Sequence, residues 1–95
     1  MQFLLTAFDG KDKDALARRM AVRETHFENI RKLKESGNFI SGGAILDDSG
    51  IMIGSAVVYD FPTRKDLDRM LEKEPYIISG VWQQIEVKPF RLADI

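Results

Sequence analysis

The chain has no cysteine and only one histidine among its 95 residues. The missing cysteine excludes disulfides, thiolate nucleophiles and cysteine-ligated zinc or iron–sulfur sites. It also fits a reducing compartment, so a cytoplasmic location is expected. With a single histidine, any metal site within one chain would have to be built from carboxylates. The best local candidate, Asp47-Asp48, reads better as part of a turn, so neither a metal nor a cofactor is expected. Neither sign of charge dominates: 14 Lys and Arg face 15 Asp and Glu, for a net charge of −1. Such a chain offers no strong field to nucleic acid or an anionic membrane, and partners of those kinds are not expected. No apolar run approaches the ~18–20 residues that span a bilayer. The first residues, Met1 to Leu5, carry no basic group and soon meet Asp9-Gly10-Lys11-Asp12, which reads as a first strand rather than a secretion signal.

What is present is ordinary globular composition, 44% apolar and 31% charged, without linker, repeat or low-complexity tract. The expected organisation is one domain over residues 1–95. A chain of this size buries only roughly 60–65% of its unfolded surface. Its core is thin, and association with a second copy would reinforce it.

Gln2–Phe8 is apolar on both alternating faces and stops at Asp9-Gly10, as a buried strand does. Asp14–Ser36 reads as a long helix, with acids near its start and Gly37 where a C′ glycine belongs. Leu16, Met20, Phe27 and Ile30 recur at helical spacing and are expected to form its core stripe. Phe39–Leu46 and Ile51–Phe61 read as strands of a hairpin, joined through Asp47-Asp48-Ser49-Gly50. After Pro62, Thr63 is a good N-cap, with Asp66 in the capping-box position of a second helix that ends before Pro75. Tyr76–Gly80 is expected to be a connection and Val81–Phe90 the last strand.

The order βαββαβ predicts a ferredoxin-like α+β fold: an antiparallel four-stranded sheet with both helices on one face. Apolar residues on the other face then need a cover, and a homodimer packed through that sheet face is the expected partner arrangement.

On a helical wheel at 100° per residue, Arg23 falls near the centre of the first helix's apolar arc, with Arg19 and His26 inside it. Arg23 and His26 sit side by side at i,i+3 spacing. A buried arginine is costly unless paired. Two readings are open: Arg23 snorkels to an edge or pairs with a structural carboxylate, or the pair serves a ligand. An imidazole can pass protons near neutral pH, and works best when a carboxylate orients its second nitrogen. Glu74 is the candidate for that role; the alternative is a solvated acid at a helix end. Ser41-Gly42-Gly43 lies within a strand that its glycines weaken, so either a ligand or another protein element approaches there. Tyr76 and Trp82 either wall a pocket or fill the core. Arg31, Lys32 and Lys34 read as a solvated helix face.

Together these residues resemble the YciI-like (YCII-related domain) family of small bacterial proteins over nearly the whole length. The carriers are Phe8-Asp9, Arg23-Glu24-Thr25-His26 as the family's R-x-x-H, Gly37 with Ser41-Gly42-Gly43, Glu74-Pro75-Tyr76 with Gly80-Val81, and Val87-Lys88-Pro89-Phe90. The resemblance implies a dimeric α/β-barrel assembly of ferredoxin-like units. It also implies an active site centred on a His–Asp dyad, with the histidine at His26. Glu74 occupies the slot of the family's Asp-Pro-Tyr/Phe aspartate; it keeps the charge but adds a methylene, which changes reach and angle. Members of known chemistry suggest lyase-like or dehydrohalogenase-like handling of small cyclic or aromatic compounds.

Three functions follow. The first is a small enzyme with His26 and Glu74 as the catalytic pair and Arg23, Ser41, Gly42, Gly43 and Tyr76 binding a small organic ligand. The second is a ligand-binding or accessory module with the same pocket and no catalysis. The third is a structural dimer in which Arg23 and His26 only stabilise the fold.

Overall fold

The computed structural model describes all residues, Met1–Ile95. The elements are β1 (Gln2–Asp9), α1 (Ala15–Glu35), β2 (Phe39–Leu46), β3 (Met52–Asp60), α2 (Arg64–Leu71), α3 (Pro75–Ile78) and β4 (Trp82–Phe90). The strands form one sheet in the order β2-β3-β1-β4, every neighbouring pair antiparallel. The fold is ferredoxin-like, with a four-stranded antiparallel sheet carrying its helices on one face.

Strand alternation sorts the residues between the two faces. In β1, Phe3, Leu5, Ala7 and Asp9 are buried, while Gln2, Leu4, Thr6 and Phe8 point the other way. Register carries this across the sheet: Phe3 faces Tyr59, Leu5 faces Val57 and Ala7 faces Ser55. The helix-side face joins Leu67 of α2 and Tyr76 of α3 in the core, which Val81 and Trp82 complete. Each fully buried side chain of this kind contributes about 1.5–3 kcal/mol. On the opposite face Leu4 lies beside Val58 and Thr6 beside Ala56, and Phe8 remains 38% exposed. This is the face expected to meet a second copy.

Local signals explain the boundaries. Gly37 takes φ 81° and its N–H bonds the Lys34 carbonyl, closing α1. In the β2–β3 turn, Asp47 Oδ1 accepts from the Ser49 and Ile51 amides, and Gly50 supplies φ 83°. Thr63 caps α2 by accepting from the Asp66 amide at 3.2 Å.

Two expectations need correction. The segment after Pro75 is a single helical turn, α3, rather than a plain connection; Glu74 is its N-cap and Pro75 its first residue, a pairing that helix starts favour. In α1, Leu16 and Met20 are not core, being 41% and 48% exposed. The helix is rotated so that the strip from Arg19 through Val22, His26 and Leu33 faces the sheet, and the residues it fully buries are Arg19 and His26. Arg19 Nη1 and Nη2 are bonded from the sheet and His26 Nδ1 from Glu74 just before α3, leaving Arg19 Nε without a partner, which is how a polar strip comes to occupy the position of an apolar one.

Candidate active site

Two buried polar constellations meet between α1, β3 and α3. The first is centred on Glu74, whose side chain is fully buried. Its Oε1 lies 2.5 Å from His26 Nδ1 and also accepts the Tyr76 amide at 3.1 Å; its Oε2 accepts from Asn29 Nδ2 at 3.2 Å. One carboxylate therefore caps α3 and anchors a histidine on α1. The extra methylene relative to aspartate does not prevent that contact.

The His26 ring is fixed in plane as well as in reach. It stacks on Tyr76 with ring centres 3.8 Å apart and planes within 11°, and Trp82 meets it edge-on at 5.7 Å. An ionised carboxylate can only accept, so the Glu74 contact assigns the hydrogen of the neutral ring to Nδ1. Nε2 makes no hydrogen bond within the protein and is not sealed from solvent. Burial holds the Tyr76 phenol above the ordinary tyrosine range, so its hydroxyl stays protonated at neutral pH. Burial raises the Tyr59 phenol in the same way, and its hydroxyl has no partner.

The second constellation is centred on Arg19. Its Nη1 donates to both oxygens of Asp9 at 3.0 Å, and its Nη2 donates to Ser55 Oγ at 2.9 Å. Trp82 Nε1 donates to the same Ser55 oxygen at 3.1 Å. The guanidinium sits 5.0 Å from the Tyr76 ring centre. Arg19, Tyr76 and His26 thus form a stack, with Asp9 behind one end and Glu74 beside the other.

Both constellations open on a cavity of about 280 Å³. Arg19, Arg23, His26, Ser55 and Tyr76 supply its polar wall, and Phe27, Ile30, Phe39, Met52 and Val57 its apolar wall. Arg23 has no carboxylate partner. Its guanidinium lies 4.5 Å over the Phe27 ring, on the cavity wall.

The expected site residues are largely brought together. His26, Arg23, Gly42, Gly43 and Tyr76 line the cavity. Glu74 stands directly behind His26. Ser41 is exposed and absent from the lining, because alternation turns it to the open face with Val58 while Gly42 faces the helices opposite Val57. The two glycines differ. A Cβ at Gly42 would lie 2.9 Å from the Ala56 carbonyl, so bare backbone is required there, whereas a Cβ at Gly43 would meet nothing. Asp9, Ser55 and Asn29 were not anticipated. Ser55 carried a signal, as a polar residue on the apolar helix-side face of β3 between Ile53 and Val57. No group of three or more His, Cys, Asp or Glu side chains gathers to form a metal cage. No helix is long and apolar enough to cross a membrane.

Comparison with solved structures agrees with this architecture. A 5-chloro-2-hydroxyhydroquinone dehydrochlorinase from Burkholderia phenoliruptrix AC1100, solved in complex with 2,5-dihydroxybenzoquinone, superposes with a TM-score of 0.83 at 20% identity, covering 98% of this chain and 96% of that one. An antibiotic biosynthesis monooxygenase superposes with a TM-score of 0.57 at 14% identity, each chain 98% covered. In sequence the chain is 27% identical to the protein YciI of Escherichia coli O6:H1, over 93% of this chain and 97% of that protein. It is 29% identical to an uncharacterized protein of Haemophilus influenzae, over 82% and 86% respectively. The YCII-related domain matches residues 1–91, and the chain belongs to that family.

Proposed function

We propose that this protein is a small enzyme that moves a proton on a small, flat organic molecule held in the cavity. The observation that carries this reading is the division of labour within one ring: His26 Nδ1 is tied to a buried carboxylate, while Nε2 has no partner within the protein and the residue lines a cavity of about 280 Å³. In this role Nε2 takes the proton. The electron pair released forms a new double bond, and a leaving group such as halide departs with its own pair. Glu74 keeps the ring in its working tautomer and stabilises the imidazolium that forms. Arg23 faces the oxygen on which negative charge develops, where a fixed cation helps most. The likeness to a dehydrochlorinase bound to a quinone supports a flat oxygenated ring as the substrate class.

The test is halide release from 5-chloro-2-hydroxyhydroquinone by the wild type and by His26→Asn. The variant keeps an N–H donor for Glu74 and removes the free ring nitrogen. Loss of the general base is expected to lower kcat by roughly 10²–10⁴-fold. Turnover retained in His26→Asn contradicts the reading. A ligand that binds the wild type and is recovered unchanged favours a binding module instead.

A further inference from the structure

Ser55 sits in the cavity wall with an unusual hydrogen-bond balance. A serine hydroxyl has two lone pairs and one hydrogen. Both groups that contact Ser55 Oγ, the Arg19 guanidinium at 2.9 Å and the Trp82 indole at 3.1 Å, can only donate. They occupy the lone pairs. Asp9, the nearest anion in the network, is engaged by Arg19 through both oxygens. The Ser55 hydrogen has no acceptor within the protein, and the residue is buried and lines the cavity.

We propose that Ser55 is a donor-only residue of the ligand site, presenting its O–H to an oxygen of the bound molecule and lacking the free lone pair a nucleophile needs. With Arg23 on the lining of the same cavity, the site selects ligands that bring an acceptor oxygen, preferably an anionic one such as phenolate or enolate. The protein's own acceptors are turned away: Glu74 is sealed behind His26 and Asp9 behind Arg19. A group that must donate to the protein therefore finds two side-chain acceptors on this lining, His26 Nε2 and the Tyr76 hydroxyl oxygen. This inference rests on the cavity being the ligand site, and it is independent of whether the ligand is converted.

Two ring probes of nearly equal shape test it: pentafluorophenolate, ionised at neutral pH, and hexafluorobenzene, in which fluorine replaces the oxygen. Fluorine NMR reads both affinities. The wild type is expected to bind the phenolate more tightly. Ser55→Ala is expected to weaken the phenolate by roughly 10-fold or more, the scale of a hydrogen bond to a charged group, and to leave hexafluorobenzene unchanged. Equal weakening of both probes would mean that Ser55 only supports the fold and would overturn the proposal, as would no preference in the wild type. Should Ser55→Ala fail to fold, the structure of the wild type with pentafluorophenolate decides. Ser55 Oγ within hydrogen-bond distance of the phenolate oxygen supports the proposal, and an oxygen held only by other groups overturns it. Binding through Ser55 without turnover of any ring substrate would leave this inference standing and defeat the enzymatic reading.

Discussion

Replacing His26 with alanine is expected to destabilise the protein by about 3–5 kcal/mol, more than the ring's packing alone would contribute. The cause lies in what remains. Glu74 is fully buried, and of its two partners from α1 the His26 Nδ1–H is the nearer, at 2.5 Å against 3.2 Å for Asn29 Nδ2, and the one able to carry charge. Breaking a buried pair by removing one member leaves a desolvated charge, which costs about 3–5 kcal/mol. Glu74→Ala should cost at least as much, because it also strips the N-cap from α3 and leaves Asn29 without its acceptor. The two losses share one interaction, so the double variant should fall short of their sum by about 1–3 kcal/mol. Urea unfolding of the four proteins measures this. Additive losses, or a cost of about 1 kcal/mol for His26→Ala, would show that the carboxylate does not depend on the ring.

A second large effect is expected at Asp9. Its carboxylate is the only anion on Arg19, and both side chains are 4% exposed. Asp9→Ala strands a guanidinium that already has an unpaired buried Nε, and should cost about 3–5 kcal/mol. In a domain of this size that corresponds to a fall in Tm of at least about 12 °C. The loss should also loosen Tyr76, over whose ring Arg19 lies, and through it the plane of His26. Asp68→Ala, which breaks an exposed i,i+4 pair with Arg64, is the matched control and should change stability by about 0.5 kcal/mol or less. Equal Tm values for the two variants would remove the Asp9–Arg19 pair from the account.

These two pairs mark where the sequence was readable and where it was not. Chain-local signals placed the elements: Gly37 closing α1, Thr63 opening α2, and Asp47 with Gly50 turning the hairpin all acted as their chemistry requires. Glu74 could be named from the residues as a candidate partner for His26, and the family pattern pointed to the same slot, but with 48 residues between them the alternative of a solvated helix-end acid stayed open until the fold brought them together. Asp9 was read as a strand end because its partner lies ten residues away on another element. Ser55 became visible once cross-strand register set it opposite Ala7, beside Trp82 and Arg19. Helical periodicity chose Leu16 and Met20 for the core because a wheel ranks hydrophobicity and cannot see which neighbours satisfy a polar strip. Ser41 was one residue out of phase, and in a strand one residue changes the face.

The central claim is that Glu74 fixes His26 with its hydrogen on Nδ1 and leaves Nε2 bare toward the cavity. Nitrogen-15 NMR of the imidazole tests this directly, and the single histidine makes the signals self-assigning. At a pH where the ring is neutral, the account predicts a protonated Nδ1 and an unprotonated Nε2 in the wild type. A ring protonated on Nε2, or one averaging between the two tautomers, would contradict it.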